Sequence, residues 1–194
     1  MKTCRHLVFV LGDQLDENSA AFADFDLSQD RVFMAEVSEE STHVWSTKPR
    51  TAFFFAAMRH FSALLQTRKI TVDYQRIGSH GFVSLVAALA DAIKRHQPQK
   101  IVMVEPGDWR VEQALQTVSA ELSMNLVMRE DTHFMCSRVE FAEWSRGYKQ
   151  FRLEYFYRMM RKRYNVMMEG DQPLQGRWNF DSENRGAFPK TGPI

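Results

Sequence analysis

The stretch His6-Leu7-Val8-Phe9-Val10-Leu11 is apolar almost throughout and stops abruptly at Gly12-Asp13-Gln14-Leu15. A run of that kind, ended by Gly-Asp, reads as a strand buried on both faces, the usual first strand of a parallel sheet. Four further segments repeat the theme. Arg31–Val37 and Lys100–Val104 are buried-strand candidates, Ile70–Ile77 alternates with period two as a half-exposed strand does, and Asn125–Met128 is a short fifth strand. Helical stripes separate them. Pro49 opens one helix, with Phe54, Met58, Phe61 and Leu65 at intervals of three and four. A second runs from about Phe82 to Arg95, and a third is capped by Asp108 and carries Val111, Leu115, Val118 and Leu122. Strand and helix alternating five times predict a doubly wound parallel sheet.

Composition narrows the class. The 194 residues fit one domain or one domain with an appendage, and 44% hydrophobic content with 15 Phe suffices for a sizeable core. The formal charge of +1 gives no global pull toward nucleic acid or membrane. Cys4 and Cys136 are too few and too far apart for a disulfide framework or a metal-ligand spacing, which fits a reducing compartment. With no signal-peptide pattern and no apolar run approaching a membrane span, the expectation is a cytoplasmic protein without a membrane partner.

The last third changes character. Residues 146–163 hold seven basic side chains against Glu154 alone, with Tyr148, Phe151, Tyr155, Phe156 and Tyr157 interleaved. Two readings stand side by side: a basic-aromatic surface for nucleic acid, or an amphipathic helix with its aromatic residues packed and its cations in water. From Gly170 to Ile194 there are few apolar residues, four Gly, three Pro and no helical period, the pattern of a linker toward something outside this chain. The expected organisation is a sheet domain over 1–135, a helical basic-aromatic extension over 136–169 and a linker over 170–194.

Several chemistries lack their motifs. There is no Gly-x-Gly-x-x-Gly after a strand, no phosphate loop and no Gly-x-Ser-x-Gly elbow, and the six His are scattered singly. What remains is a set of acidic, polar strand ends: Gly12-Asp13-Gln14, Glu36 to Glu40, and Glu105 to Arg110. In an open α/β sheet, ligands bind outside the carboxyl ends of the strands where the strand order reverses. Carboxylates there accept hydrogen bonds and repel phosphate, so the expected ligand is a neutral, donor-rich ring, with Trp109 offering a flat face. For each of these residues an ordinary structural role is the alternative: Asp13 in a turn, Glu40 and Glu105 as solvated acids, Trp109 in the core.

Six strings then recur together in one group. They are Leu11-Gly12-Asp13-Gln14-Leu15, Ala35-Glu36-Val37 with Glu40, Ala57-Met58-Arg59-His60-Phe61, Glu105-Pro106-Gly107-Asp108-Trp109-Arg110-Val111, Glu154-Tyr155-Phe156-Tyr157-Arg158 and the run from Gly176 to Arg185. On these the chain resembles, from about residue 5 to 186, the amino-terminal domain of the deoxyribodipyrimidine photolyase-related proteins, the iron–sulfur bacterial cryptochromes and (6-4) photolyases.

The resemblance implies a Rossmann-like antenna domain that holds 6,7-dimethyl-8-ribityllumazine at the strand ends. It implies that excitation passes to FAD in a larger helical C-terminal domain, which also carries a 4Fe-4S cluster, and that the whole protein repairs UV-damaged DNA or senses blue light. Glu40 matches the family's acidic residue on the lumazine ring, and Asp13 lies in its Gly-Asp-Gln loop. Ala35 stands where relatives can carry Cys, a departure that leaves the pocket open. The expected chromophore-binding set is Gly12, Asp13, Gln14, Ala35, Glu36, Glu40, Phe54, Glu105 and Trp109. FAD, the cluster and the catalytic residues are expected outside this chain, so that alone it repairs nothing. The rivals are an adenine-nucleotide-binding α/β enzyme using the same strand ends and a DNA-interaction module built on residues 146–163.

Overall fold

The computed structural model describes residues 4–180, together with 186 and 191. Two compact units follow one another along the chain, 1–137 and 138–194.

The first unit is a five-stranded parallel sheet in the order β3-β2-β1-β4-β5, formed by β1 (His6–Phe9), β2 (Arg31–Ala35), β3 (Val72–Gln75), β4 (Lys100–Val104) and β5 (Leu126–Arg129). Register is fixed at the centre by Val8 opposite Val32 on one side and Val102 on the other. Because successive strand side chains point to opposite faces, the apolar run of β1 feeds two cores. Leu7, Phe9 and Leu11 pack with Phe33, Ile101, Met103, Leu89 and Leu115 on one face. Val8 and Val10 pack with Met34, Val102, Met58, Phe61 and Leu65 on the other. The fold is therefore a doubly wound, Rossmann-like α/β sheet, with helices on both faces.

The helices are α1 (Glu39–Thr42), α2 (Lys48–Thr67), α3 (Leu85–His96) and α4 (Trp109–Glu121). Hydroxyl and carboxylate caps start the longer three: Thr47 accepts from the Arg50 amide, Ser84 from Ala87 and Asp108 from Arg110. Pro49 sits in the first turn of α2, where a missing N–H costs nothing. Between β1 and β2 the chain forms only one short 3-10 turn, Ala20–Phe22.

The ends of the strands are tied down by charged side chains. Asp30, fully buried, accepts from Arg5 Nε at 2.9 Å, from the His6 amide at 3.0 Å and from the Asp26 amide at 2.8 Å. Arg129 reaches across to the Ala20 carbonyl and Asp24. At the edge, Asp73 on β3 accepts from His96 Nε2 at 2.7 Å and Arg95 at 2.5 Å.

The second unit holds α5 (Arg138–Ser145), α6 (Leu153–Tyr164) and an antiparallel pair, β6 (Met168–Glu169) with β7 (Gln172–Pro173). Phe141, Trp144, Tyr148, Phe151 and Phe156 form one ring cluster, with linked centroids 4.7–6.4 Å apart. Arg161 is buried at the end of α6. Its Nε donates to the Val166 carbonyl at 3.0 Å and its other arm to Met167, while Trp178 lies over it at 5.2 Å. Arg158 pairs with Glu154 and Arg163 with Glu140.

Two expectations change here. The cations of residues 146–163 are not uniformly free for phosphate: reversing the charge of Arg161 would break the end of α6 before it reported on any nucleic acid. The stretch from Gly170, expected as a structureless linker, starts inside a hairpin whose turn needs the positive φ of Gly170, followed by a 3-10 turn at Leu174–Gly176. Residues 181–185, part of the sixth recurring string, lie outside the described residues.

Candidate functional site

With β2-β1-β4 at its centre, the sheet reverses its winding beside β1, and a crevice opens at the carboxyl ends of these strands. Its volume is about 430 Å³, within the usual range for a small-molecule site. Leu11, Gly12 and Asp13 line it after β1, Ala35 to Val37 after β2, and Pro106 to Asp108 after β4. Glu40 and Ser41 of α1, Val44 to Ser46 in the following strap, and Arg50, Phe54, Phe55 and Met58 on α2 complete the wall.

Gly12 is required by close approach, not by its dihedral angles. A Cβ at this position would lie 2.9 Å from Met58 Sδ, so glycine lets α2 sit against the first strand end.

Glu36 and Glu40 come from the same strand end and have different surroundings. The Glu36 carboxylate is fully buried. It accepts from Arg59 Nε at 2.7 Å and Nη2 at 2.8 Å, from the Tyr74 hydroxyl at 2.5 Å and from the Ile77 amide at 3.0 Å. Burial pushes its pKa up, but Arg59, Tyr74 and the Ile77 N–H outweigh burial and hold it below the ordinary carboxylate value. Burial first and then the Glu36 carboxylate drive the Tyr74 hydroxyl upward, against Arg59, which lowers it. Four hydrogen bonds leave Glu36 little capacity for a ligand.

Glu40, by contrast, is about one-third exposed and lines the crevice. Both its oxygens lie 3.0 Å from Arg110 Nη2, and Arg110 also lies 3.5 Å from Asp108. Desolvation lowers the Arg110 pKa, but Glu40, Asp108 and Glu39 more than offset it, so the guanidinium stays charged. The Glu40–Arg110 pair links α1 on the β2 side to α4 on the β4 side and fixes the carboxylate with acceptor capacity to spare.

Of the nine expected binding residues, Gly12, Asp13, Ala35, Glu36, Glu40 and Phe54 line the crevice. Three do not. Gln14 is turned inward, its Nε2 donating to the Glu105 carbonyl at 2.9 Å, so it braces the β1 end against the β4 end. Glu105 enters that brace through its backbone, its amide donating to the Arg129 carbonyl at 2.8 Å. Trp109 opens α4 and points away, 69% exposed.

Residues not anticipated as site members include Trp45, Arg50, Phe55 and Met58. The α2 stripe carries a signal for Met58, already in register with Phe54. Trp45 shows none, because it reaches the crevice through the path of the strap, and Arg50 lies one turn before Phe54 on α2, where a cation interrupts the apolar stripe.

No group of three or more His, Cys, Asp or Glu side chains able to hold a metal ion occurs among the described residues, and no helix there is long and apolar enough to cross a membrane.

A (6-4) photolyase of Agrobacterium fabrum is 39% identical over 180 residues, covering 92% of this chain and 36% of the relative, so the chain spans little more than a third of that protein. An uncharacterized protein of Acanthamoeba polyphaga mimivirus is 24% identical over 139 residues, covering 69% of this chain and 68% of the relative. The family model described as deoxyribodipyrimidine photo-lyase-related protein matches residues 8–194, and with that match over nearly its whole length the chain belongs to this family.

Proposed function

We propose that this chain is the light-harvesting part of a photolyase- or cryptochrome-related flavoprotein, and that its crevice holds 6,7-dimethyl-8-ribityllumazine. The observation that carries the reading is the crevice itself, apolar and aromatic in its walls and acidic at its rim through Asp13 and Glu40. A neutral ring bearing amide-type donors fits such a lining, and a polyphosphate meets like charge there. Phe54, Phe55 and Trp45 supply aromatic surface, Glu40 an oriented acceptor, and Gly12 with Ala35 the space between α2 and the strand ends. When bound, the lumazine supplies light absorption. The chain's part is to hold and orient the ring and to limit its contact with water.

A 4Fe-4S cluster held by four thiolates does not fit this chain, which has two cysteines, one of them the buried Cys4, and the resemblance puts FAD with the cluster. We assign both groups, light-driven repair or signalling, and binding of UV-damaged DNA to the remainder of a longer protein such as the Agrobacterium relative. The test is titration of the chain with 6,7-dimethyl-8-ribityllumazine, followed by absorbance and fluorescence, with ATP as the control ligand. Saturable lumazine binding, lost in Glu40→Ala, is the expected result. Saturable ATP binding instead would replace the antenna reading with a nucleotide-binding enzyme.

A further inference from the structure

We infer that Trp45 provides the stacking face that covers a flat ligand in the crevice, an assignment that rests on the chromophore reading of the same site. Trp45 lines the crevice and is nevertheless 98% exposed, next to Val44 at 73%. Among the described residues its indole makes no ring or cation contact. A side chain this large left in water has the most to gain of any crevice residue when a ring is laid on it.

The strap that carries Trp45 is anchored at both ends. The Glu39 amide donates to the Val83 carbonyl at 3.0 Å, the Thr42 hydroxyl closes on Ser38, and Thr47 caps α2. Between these anchors Val44 and Trp45 are not packed, so the indole is held at the rim with its faces uncovered. The other crevice aromatics differ, and Phe55 packs against the second core. Phe54 already has the Arg50 guanidinium 5.8 Å over its ring. Trp109, expected from its motif to supply a flat face, is outside the lining. A carboxylate acceptor at Glu40 and an uncovered π-face at Trp45 therefore line one opening, the two kinds of contact a planar, donor-rich heterocycle uses.

The experiment is a titration of the whole chain with 6,7-dimethyl-8-ribityllumazine, reading tryptophan emission together with ligand absorbance. It compares the native sequence with Trp45→Phe, Trp45→Ala, Trp109→Phe and Glu40→Gln. Quenching of tryptophan emission should persist in Trp109→Phe and largely vanish in Trp45→Phe, which keeps its affinity within a few-fold. Trp45→Ala should weaken binding about tenfold or more, the scale of one lost ring stack, with an unchanged melting temperature. Native affinity and spectrum in Trp45→Ala, beside weakened binding in Glu40→Gln, would overturn the Trp45 assignment and leave the crevice reading standing. Absence of saturable binding to the native chain would overturn both.

Discussion

Glu36 and Glu40 sit four residues apart at the end of one strand, and the fold uses them in opposite ways. Glu36 has a fully buried carboxylate with four hydrogen bonds, one face of a lock between β2, β3 and α2. Glu40 has a carboxylate 36% exposed, held by Arg110 alone among the ion pairs described. An acid at a strand end is thus not a ligand group by position. What decides is whether the protein has already filled its lone pairs. By that standard Glu36 belongs to stability, and Glu40 is the acid we propose for binding.

The sharpest way to break this contrast is Glu36→Ala. It strands the Tyr74 hydroxyl and the Ile77 amide and removes a buried partner of Arg59, so unfolding free energy should fall by about 3 kcal/mol in denaturant melts. A loss below roughly 1 kcal/mol would mean that the lock is ornamental.

Asp73 extends the contrast to a second saturated acid. Burial raises its pKa, yet His96, Arg95 and Gln75 bring it to about 2, against an ordinary value of 3.8. A depressed folded-state pKa gives stability that is complete above the unfolded value and disappears as pH falls through the folded one. Asp73→Asn should therefore cost about 2 kcal/mol near neutrality, a difference that fades between about pH 4 and pH 2. Glu36 acts with the same sign over the acid range below its ordinary 4.5. A pH-independent difference between Asp73→Asn and the native chain would contradict this.

Gly12→Ala is the milder perturbation. Its new methyl meets the flexible end of Met58, so the thermal shift should correspond to about 1 kcal/mol, and a narrower crevice should weaken ligand binding as well. Unchanged affinity in this variant would move the ligand away from the β1 end.

The sheet was legible from sequence because β1, β2 and β4 are contiguous apolar runs, and a run buried on both faces leaves little else for the chain to do. Asp108 as a cap and Pro49 as a first-turn residue were legible for the same local reasons. Side-chain direction at the strand ends was not. Gln14 and Trp109 stand in the same motifs as Asp13 and Asp108, but the turn after β1 sends Gln14 inward and the first turn of α4 sends Trp109 out. Trp45 follows Val44 in an otherwise polar stretch and carries no period, so nothing local announces it as a wall of the crevice. The hairpin of β6 and β7 has two residues per strand, too short for alternation to register. Arg161 looked like one more cation in a basic run, and only the carbonyls of Val166 and Met167 reveal it as a structural donor.

The most direct test sets the two acids against each other in one variant. Glu40→Gln is to be melted and then titrated with 6,7-dimethyl-8-ribityllumazine beside the native chain. If Glu40 is the acceptor that orients the ring, the melting temperature stays where it was, as expected when a part-exposed ion pair is lost, while affinity falls about tenfold or more. Native affinity in Glu40→Gln, or a collapse of stability comparable to that of Glu36→Ala, would contradict the division between the acid that builds the fold and the acid that faces the ligand.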